Sequence, residues 1–188
     1  MRIYRRRRGV TLLEALLAAV LTGLTLTSAL VLYIVGLMAW YRGEGNIDAE
    51  SSSHTAIRIM ANELRQAMGV SVDSNGLGIT YYLPQKDGNG NIIVPEVTDG
   101  VTRRIELDGT TINMIASGNS RSICYNVVLT DPNSPGGTAP YQIFVPGGGT
   151  TTRSLTVMVV TQRQGYGAET VTSRNRETMY LRNVPQLN

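Results

Sequence analysis

From Val10 to Tyr41 every residue is apolar, small or hydroxylic except Glu14. That length exceeds the roughly 20 apolar residues an α-helix needs to span a bilayer. Arg2 and the run Arg5 to Arg8 precede it, whereas Arg42 after it is soon balanced by Glu44. The positive-inside rule therefore predicts an N-terminus in the cytoplasm and everything after Tyr41 on the far side. Trp40 and Tyr41 suit the outer interface, where amphipathic rings are favoured. A secretory signal peptide has a shorter apolar core followed by a small-residue cleavage site. Here the most processing-like site, Arg8-Gly9-Val10, precedes the apolar segment, and no cysteine is placed for a lipoprotein signal.

Glu14 is the anomaly. An acidic side chain at the centre of a membrane helix costs roughly 2.5–3.5 kcal/mol on insertion scales. A plain anchor has no use for that cost, so a partner for the carboxylate is expected.

The basic run, Gly9 and the following Val10-Thr11-Leu12-Leu13-Glu14 resemble the class III signal of type IV prepilins and type II secretion pseudopilins. The resemblance covers about the first forty residues. It implies that a membrane prepilin peptidase cuts between Gly9 and Val10 and that Val10 is then N-methylated. Glu14 becomes the glutamate at the fifth mature position. Val10 stands where phenylalanine is commonest, and Val31 where major pilins often carry a helix-kinking proline; both departures fit a minor pilin or pseudopilin. The implied partners are the peptidase, other pilins or pseudopilins and a membrane assembly platform; no cofactor is implied. The implied location is the inner membrane, single-pass with the C-terminal domain outside the cytoplasm, and then a pilus or pseudopilus. Glu14 of one subunit would pair with the Val10 ammonium of a neighbour, because a charge removed from water is tolerated only when paired.

The charge balance changes once residues 1–9 are set aside. The chain holds 17 Lys+Arg against 14 Asp+Glu, and five of those arginines lie in residues 1–9, which hold no acid; 12 against 14 remain. The apparent basicity belongs to the leader, so nucleic-acid binding is not indicated. Arg103-Arg104 and Arg174/Arg176 read as solvated strand or turn positions.

Residues 42–70 carry a second helical pattern. Gly43 and Gly45 are expected to kink or loosen the helix. Ile57, Met60, Leu64 and Met68 then recur at spacings of three to four, with Ser53, Arg58, Asn62, Glu63 and Arg65 on the polar side. The apolar stripe should pack on a sheet, with Gly69 as its stop. His54, the single histidine, is expected on the helix surface, and no metal site is expected from it.

From residue 71 the period changes to two. Strands are predicted over Ile79–Leu83, Ile92–Val97, Val101–Leu107, Thr110–Ala116, Ser122–Thr130, Tyr141–Val145, Leu155–Gln162 and Glu177–Leu181. Asp108-Gly109 predicts a two-residue type I′ hairpin, and Asp87-Gly88-Asn89-Gly90-Asn91 another tight connection. Pro132 to Pro140 and Pro146 to Gly149 read as loops. Cys124 stands alone, so no internal disulfide can form, and a buried small hydrophobe is the expected role. The fold class is α+β, pilin-like: a long hydrophobic N-terminal helix extends into an amphipathic helix packed on an antiparallel β domain. Arg104 to Asn113, Ile123 to Leu129 and Thr178 to Val184 also resemble, loosely, the globular domains of PilW-type minor pilins and J-type pseudopilins.

No catalytic set emerges. Gly147-Gly148-Gly149-Thr150 lacks the lysine of a phosphate-binding loop, and no Gly-x-Ser-x-Gly elbow is present. Asp99, Glu106, Asp108 and Asp131 could meet as paired carboxylates, though solvated loop acids are commoner. Three readings follow. The favoured one is a non-enzymatic minor pilin or pseudopilin of a type IV pilus, a type II secretion system or a competence pilus. The others are a filament-tip module that binds a surface, a substrate or DNA, and a membrane-anchored exported enzyme.

Overall fold

A computed structural model describes residues 11–94, 97–137, 139–147, 154–165 and 170–181. The chain divides into two units, Met1–Arg42 and Gly43–Asn188. Helix α1 (Leu12–Leu64) supplies the described part of the first unit and the opening element of the second. Residues 11–42 are exposed throughout, large apolar side chains included. By length and composition α1 can cross a membrane. Its hydroxyls suit apolar surroundings: Thr22, Thr27 and Ser28 donate to carbonyls four residues back at 2.7–2.8 Å, and Thr25 to Thr22 at 2.9 Å. None of them needs an outside partner.

In the second unit the buried face of α1 is formed by Gly45, Ala49, Ser53, Ala56, Ile57, Met60, Ala61 and Leu64. The helix runs without interruption through Gly43 and Gly45, where a kink or loosening is expected from the sequence. A glycine in a helix interior costs only about 1 kcal/mol, too little to end a helix of 53 residues. A Cβ at Gly45 would lie 3.7 Å from the Gln164 carbonyl and 3.8 Å from Val171, so the small residue fits a close approach to the sheet. A Cβ at Gly43 would meet nothing within 4 Å. Gly43→Ala is therefore expected to stabilise the protein by about 0.5–1 kcal/mol, raising Tm by roughly 2–4 °C in thermal circular dichroism.

Two further helix expectations are corrected. Ser53 is buried rather than polar-faced: its hydroxyl donates to the carbonyls of Ala49 and Glu50 and accepts from Asn175 Nδ2. The helix also stops at Leu64, not at Gly69; the Gln66 and Ala67 amides bond to carbonyls three residues back, tightening the last turn.

The strands confirm the α+β order. A five-stranded antiparallel sheet follows chain order: β1 (Gly69–Val72), β2 (Gly78–Tyr82), β3 (Arg103–Asp108), β4 (Thr111–Ala116) and β5 (Asn119–Cys124). A three-stranded sheet has the order β10-β9-β8, with β8 (Phe144–Pro146), β9 (Ser154–Gln164) and β10 (Thr170–Tyr180). β6 (Thr130–Asp131) and β7 (Ala139–Pro140) form a small pair between them in sequence. One core joins Met60 and Leu64 of the helix to Tyr81 and Ile105 of the first sheet and Phe144 and Val157 of the second.

Several strand limits differ from the pattern-based reading. β1 escapes it, being four residues between turns. Ser122–Thr130 breaks after Cys124, since Asn126 adopts a left-handed φ of 57°. Ile92–Val97 forms no strand among the described residues; only single bridges, Lys86 to Ile92 and Pro84 to Thr98, occur there. Tyr141–Val145 contracts to β8, and Glu177–Leu181 is the end of a strand that starts at Thr170. The hairpin at Asp108 exists, but Asp108 pairs with Thr111, so Gly109-Thr110 is its loop. Only Gly109 has positive φ there, the glycine-first pattern of a type II′ rather than a I′ turn. The I′ pattern falls instead at Ser117-Gly118, both with positive φ, between β4 and β5.

Candidate functional site

Gly9 and Val10 lie outside the described residues, so the candidate site is described from Thr11 onward. Thr11 precedes the first turn of α1, and Glu14 is the third residue of the helix. The Thr11 amide donates to Glu14 Oε2 at 3.0 Å, and the Thr11 hydroxyl lies 3.2 Å from the same oxygen. In return the Glu14 amide donates to the Thr11 hydroxyl at 3.3 Å. This is a capping box: two amides that the helix cannot satisfy are satisfied reciprocally by side chains. The carboxylate is also well placed against the positive end of the helix dipole.

The capping box modifies the expectation that Glu14 must find its partner elsewhere. Part of its cost is offset within the chain, and the Thr-x-x-Glu spacing that does so is visible in the sequence. Thr11 is the residue of this candidate site that charge and hydropathy alone do not point to. The cap uses Oε2; among the described residues Oε1 accepts no hydrogen bond. Glu14 thus holds a fixed carboxylate with one oxygen unbonded among the described residues, on a helix segment whose apolar side chains are exposed.

Arg103 and Arg104, expected as solvated positions, form specific half-buried pairs in the globular unit. Asp99 takes both terminal nitrogens of Arg103, at 3.0 and 2.6 Å. Arg104 bonds Asp73 at 2.6 Å across the sheet and also Glu106. Arg174 Nε lies 3.2 Å from Asp131 Oδ1, though not aligned for a hydrogen bond. Asp99, Glu106 and Asp131 therefore each face an arginine, and each carboxylate is neutralised where it stands.

The Arg103 fork holds the Asp99 carboxyl below its ordinary value of 3.8, with help from the Val101 amide and against the effect of desolvation. A folded-state pKa below the unfolded one contributes stability above the unfolded pKa and loses it as pH falls through the folded value. Wild type is therefore expected to lose stability more steeply than Asp99→Asn below about pH 4, as measured by urea unfolding across a pH series.

Among the described residues no group of three His, Cys, Asp or Glu side chains is arranged to hold a metal. His54 lies on the exposed face of α1, 3.7 Å from Glu50 one turn earlier. Cys124 is buried as expected, and burial pushes its thiol up to about 11. Tyr81 is fully buried with no partner for its hydroxyl among the described residues; burial first, and Glu63 second, push it up to about 12.

In comparisons with known proteins, no family model, curated protein or solved structure matches this chain.

Proposed function

We propose that the protein is a minor pilin or pseudopilin, a structural subunit assembled through its N-terminal helix into a type IV pilus or type II secretion-like filament. The observation that carries this reading is Glu14. It is the lone carboxylate of the exposed apolar segment 11–42, fixed by Thr11 through one oxygen, while the other accepts no hydrogen bond among the described residues. The likeness of Gly9 to Glu14 to a class III signal supplies the counterpart, a Val10 ammonium freed by cleavage after Gly9.

In this reading the helix holds the subunit in the inner membrane with its globular unit outside the cytoplasm. A neighbour's ammonium then takes the other oxygen of Glu14. Pairing of this kind fixes axial register, the best-attested use of buried polar groups. The order of elements, one long apolar helix followed by antiparallel sheets, is compatible with it.

Intact-mass analysis of the membrane-extracted protein tests the reading directly. The expected chain begins at Val10 and carries one additional methyl group. A chain retaining residues 1–9, or one cut after the apolar segment, would overturn it.

A further inference from the structure

We propose that the free edge of β10 is a docking site for an extended, acidic segment of another protein, which adds to the sheet as a further strand. The inference is independent of how the N-terminal helix is used. It rests on three observations: the direction of the backbone groups of β10, the pocket they open on and the charges beside them.

β10 is the outermost strand of its sheet and is eleven residues long. On β9, the amides of Met158 and Gln162 bond to Ile143 and Asn126, and the carbonyl of Val160 takes the Val128 amide. The even-numbered residues of β9 therefore face away from β10, and the odd ones face it. Those odd residues stand opposite odd residues of β10, Thr161 with Ser173 and Val159 with Asn175. Since alternate residues of a strand direct their N–H and C=O to opposite sides, Thr172, Arg174, Arg176 and Thr178 turn theirs outward. No backbone bond to them from outside β9 occurs among the described residues. A row of unpaired groups like this is a template for strand addition.

At Thr172 to Arg174 the edge opens on a pocket also lined by Asn46 and Glu50 of α1 and by Pro132 and Asn133. Asn175 reaches Ser53 of α1 and the neighbouring Arg174 reaches Asp131, so the helix and the Asp131 loop lie on opposite faces of β10.

Charge selects the occupant. Arg174 and Arg176 lie on the same face of β10, and Arg176 is exposed with no acidic partner among the described residues. A second copy docked antiparallel with Arg176 opposite Arg176 would set like charges against each other, whereas Arg174 already faces Asp131 at 3.2 Å. Like charges directly opposite destabilise a pair. The other open edge, β5, carries Arg121 and would bring the same sign. A carboxylate opposite Arg176 meets none of these penalties.

The test uses the full chain in detergent micelles, with capped peptides of alternating Val and Thr carrying one central Glu or, as the counterpart, one central Lys. With the Glu peptide at about ten times its Kd, exchange of the Thr172, Arg174, Arg176 and Thr178 amides is expected to slow about tenfold. The Lys peptide is expected to leave them unchanged, and Arg176→Glu to reverse the preference. Thr172→Pro removes an outward amide at an edge position that tolerates proline and is expected to weaken docking, with the buried Cys124 thiol reporting that the variant remains folded. Equal protection by both peptides, protection confined to β5, or protection that grows with protein concentration alone would overturn the proposal. The last result would assign the edge to a second copy. Should Thr172→Pro unfold, the charge reversal at Arg176 still decides.

Discussion

Glu14→Ala is expected to leave membrane insertion intact while removing the subunit from filaments. Insertion should be undiminished, because alanine carries none of the cost of a carboxylate in an apolar helix. Assembly should fail, because a neighbour's ammonium would be left unpaired in an apolar environment. Breaking a buried pair by removing one partner costs about 3–5 kcal/mol, so incorporation should fall by about two to nearly four orders of magnitude. Two companion variants separate the carboxylate's two duties. Glu14→Gln keeps an acceptor for the Thr11 amide but lacks the charge, and should fail nearly as badly. Thr11→Val removes the side-chain half of the capping box and keeps the charge, so it should lose only about 1 kcal/mol of helix-end stability. Quantifying each variant in sheared filaments and in the membrane fraction distinguishes these outcomes. Normal incorporation of Glu14→Ala would remove the basis of the assembly reading.

Phe144→Ala should produce the largest loss of stability in the globular unit. Phe144 is the only phenylalanine in the chain and is fully buried. It pairs with Val157 in β9, and its amide bonds the Gly76 carbonyl beside the first sheet at 2.9 Å, so it ties the two sheets together. Truncation of a buried phenylalanine costs about 3–5 kcal/mol. Cys124 is a built-in reporter, since its thiol is buried and held largely protonated at neutral pH. When opening is fast relative to labelling, alkylation follows the population of the open form. Phe144→Ala should therefore speed Cys124 alkylation by about two to nearly four orders of magnitude. A change below tenfold would mean that the two sheets do not share one cooperative core.

Much of this architecture was legible in the residues. The runs at β2, β3, β4 and β9 lie where the residues place them; in β9, Val157 to Thr161 are buried in succession, so both of its faces are covered. The runs that failed did so for local reasons. Asn126 in a left-handed conformation ended a strand whose side-chain pattern continued to Thr130. Ile92 and Val94 share the spacing of a strand face, yet Val94 is 85% exposed and Ile92 is exposed too, so nothing buries that face. The first part of β10 was invisible because Thr172, Arg174 and Arg176 carry no apolar signal; its strand character comes from pairing with β9. At Gly43 and Gly45 propensity argued for a kink, yet the helix runs on; a Cβ at Gly43 would meet nothing within 4 Å, and one at Gly45 would only touch Gln164 and Val171 of the second sheet. At the N-terminus, Thr11 and Glu14 spelled a capping box in the sequence, concealed by attention to the cost of the charge.

The two sheets differ in when they can form. As the chain is made, N-terminal end first, β1 to β5 emerge in the order in which they pair, each joined to the next by a turn or a loop. Such local pairing is fast, because little loop entropy is lost before a contact is made. The second sheet must wait. Thr161 reaches back across 112 residues to donate to the Ala49 carbonyl, and Arg65 joins Glu177 over the same separation. Until β9 and β10 arrive, the helix face from Gly45 to Leu64 lacks part of its cover. The last-made strands therefore complete the fold, and a chain stalled before Ser154 leaves the earliest-made apolar face open to misassembly.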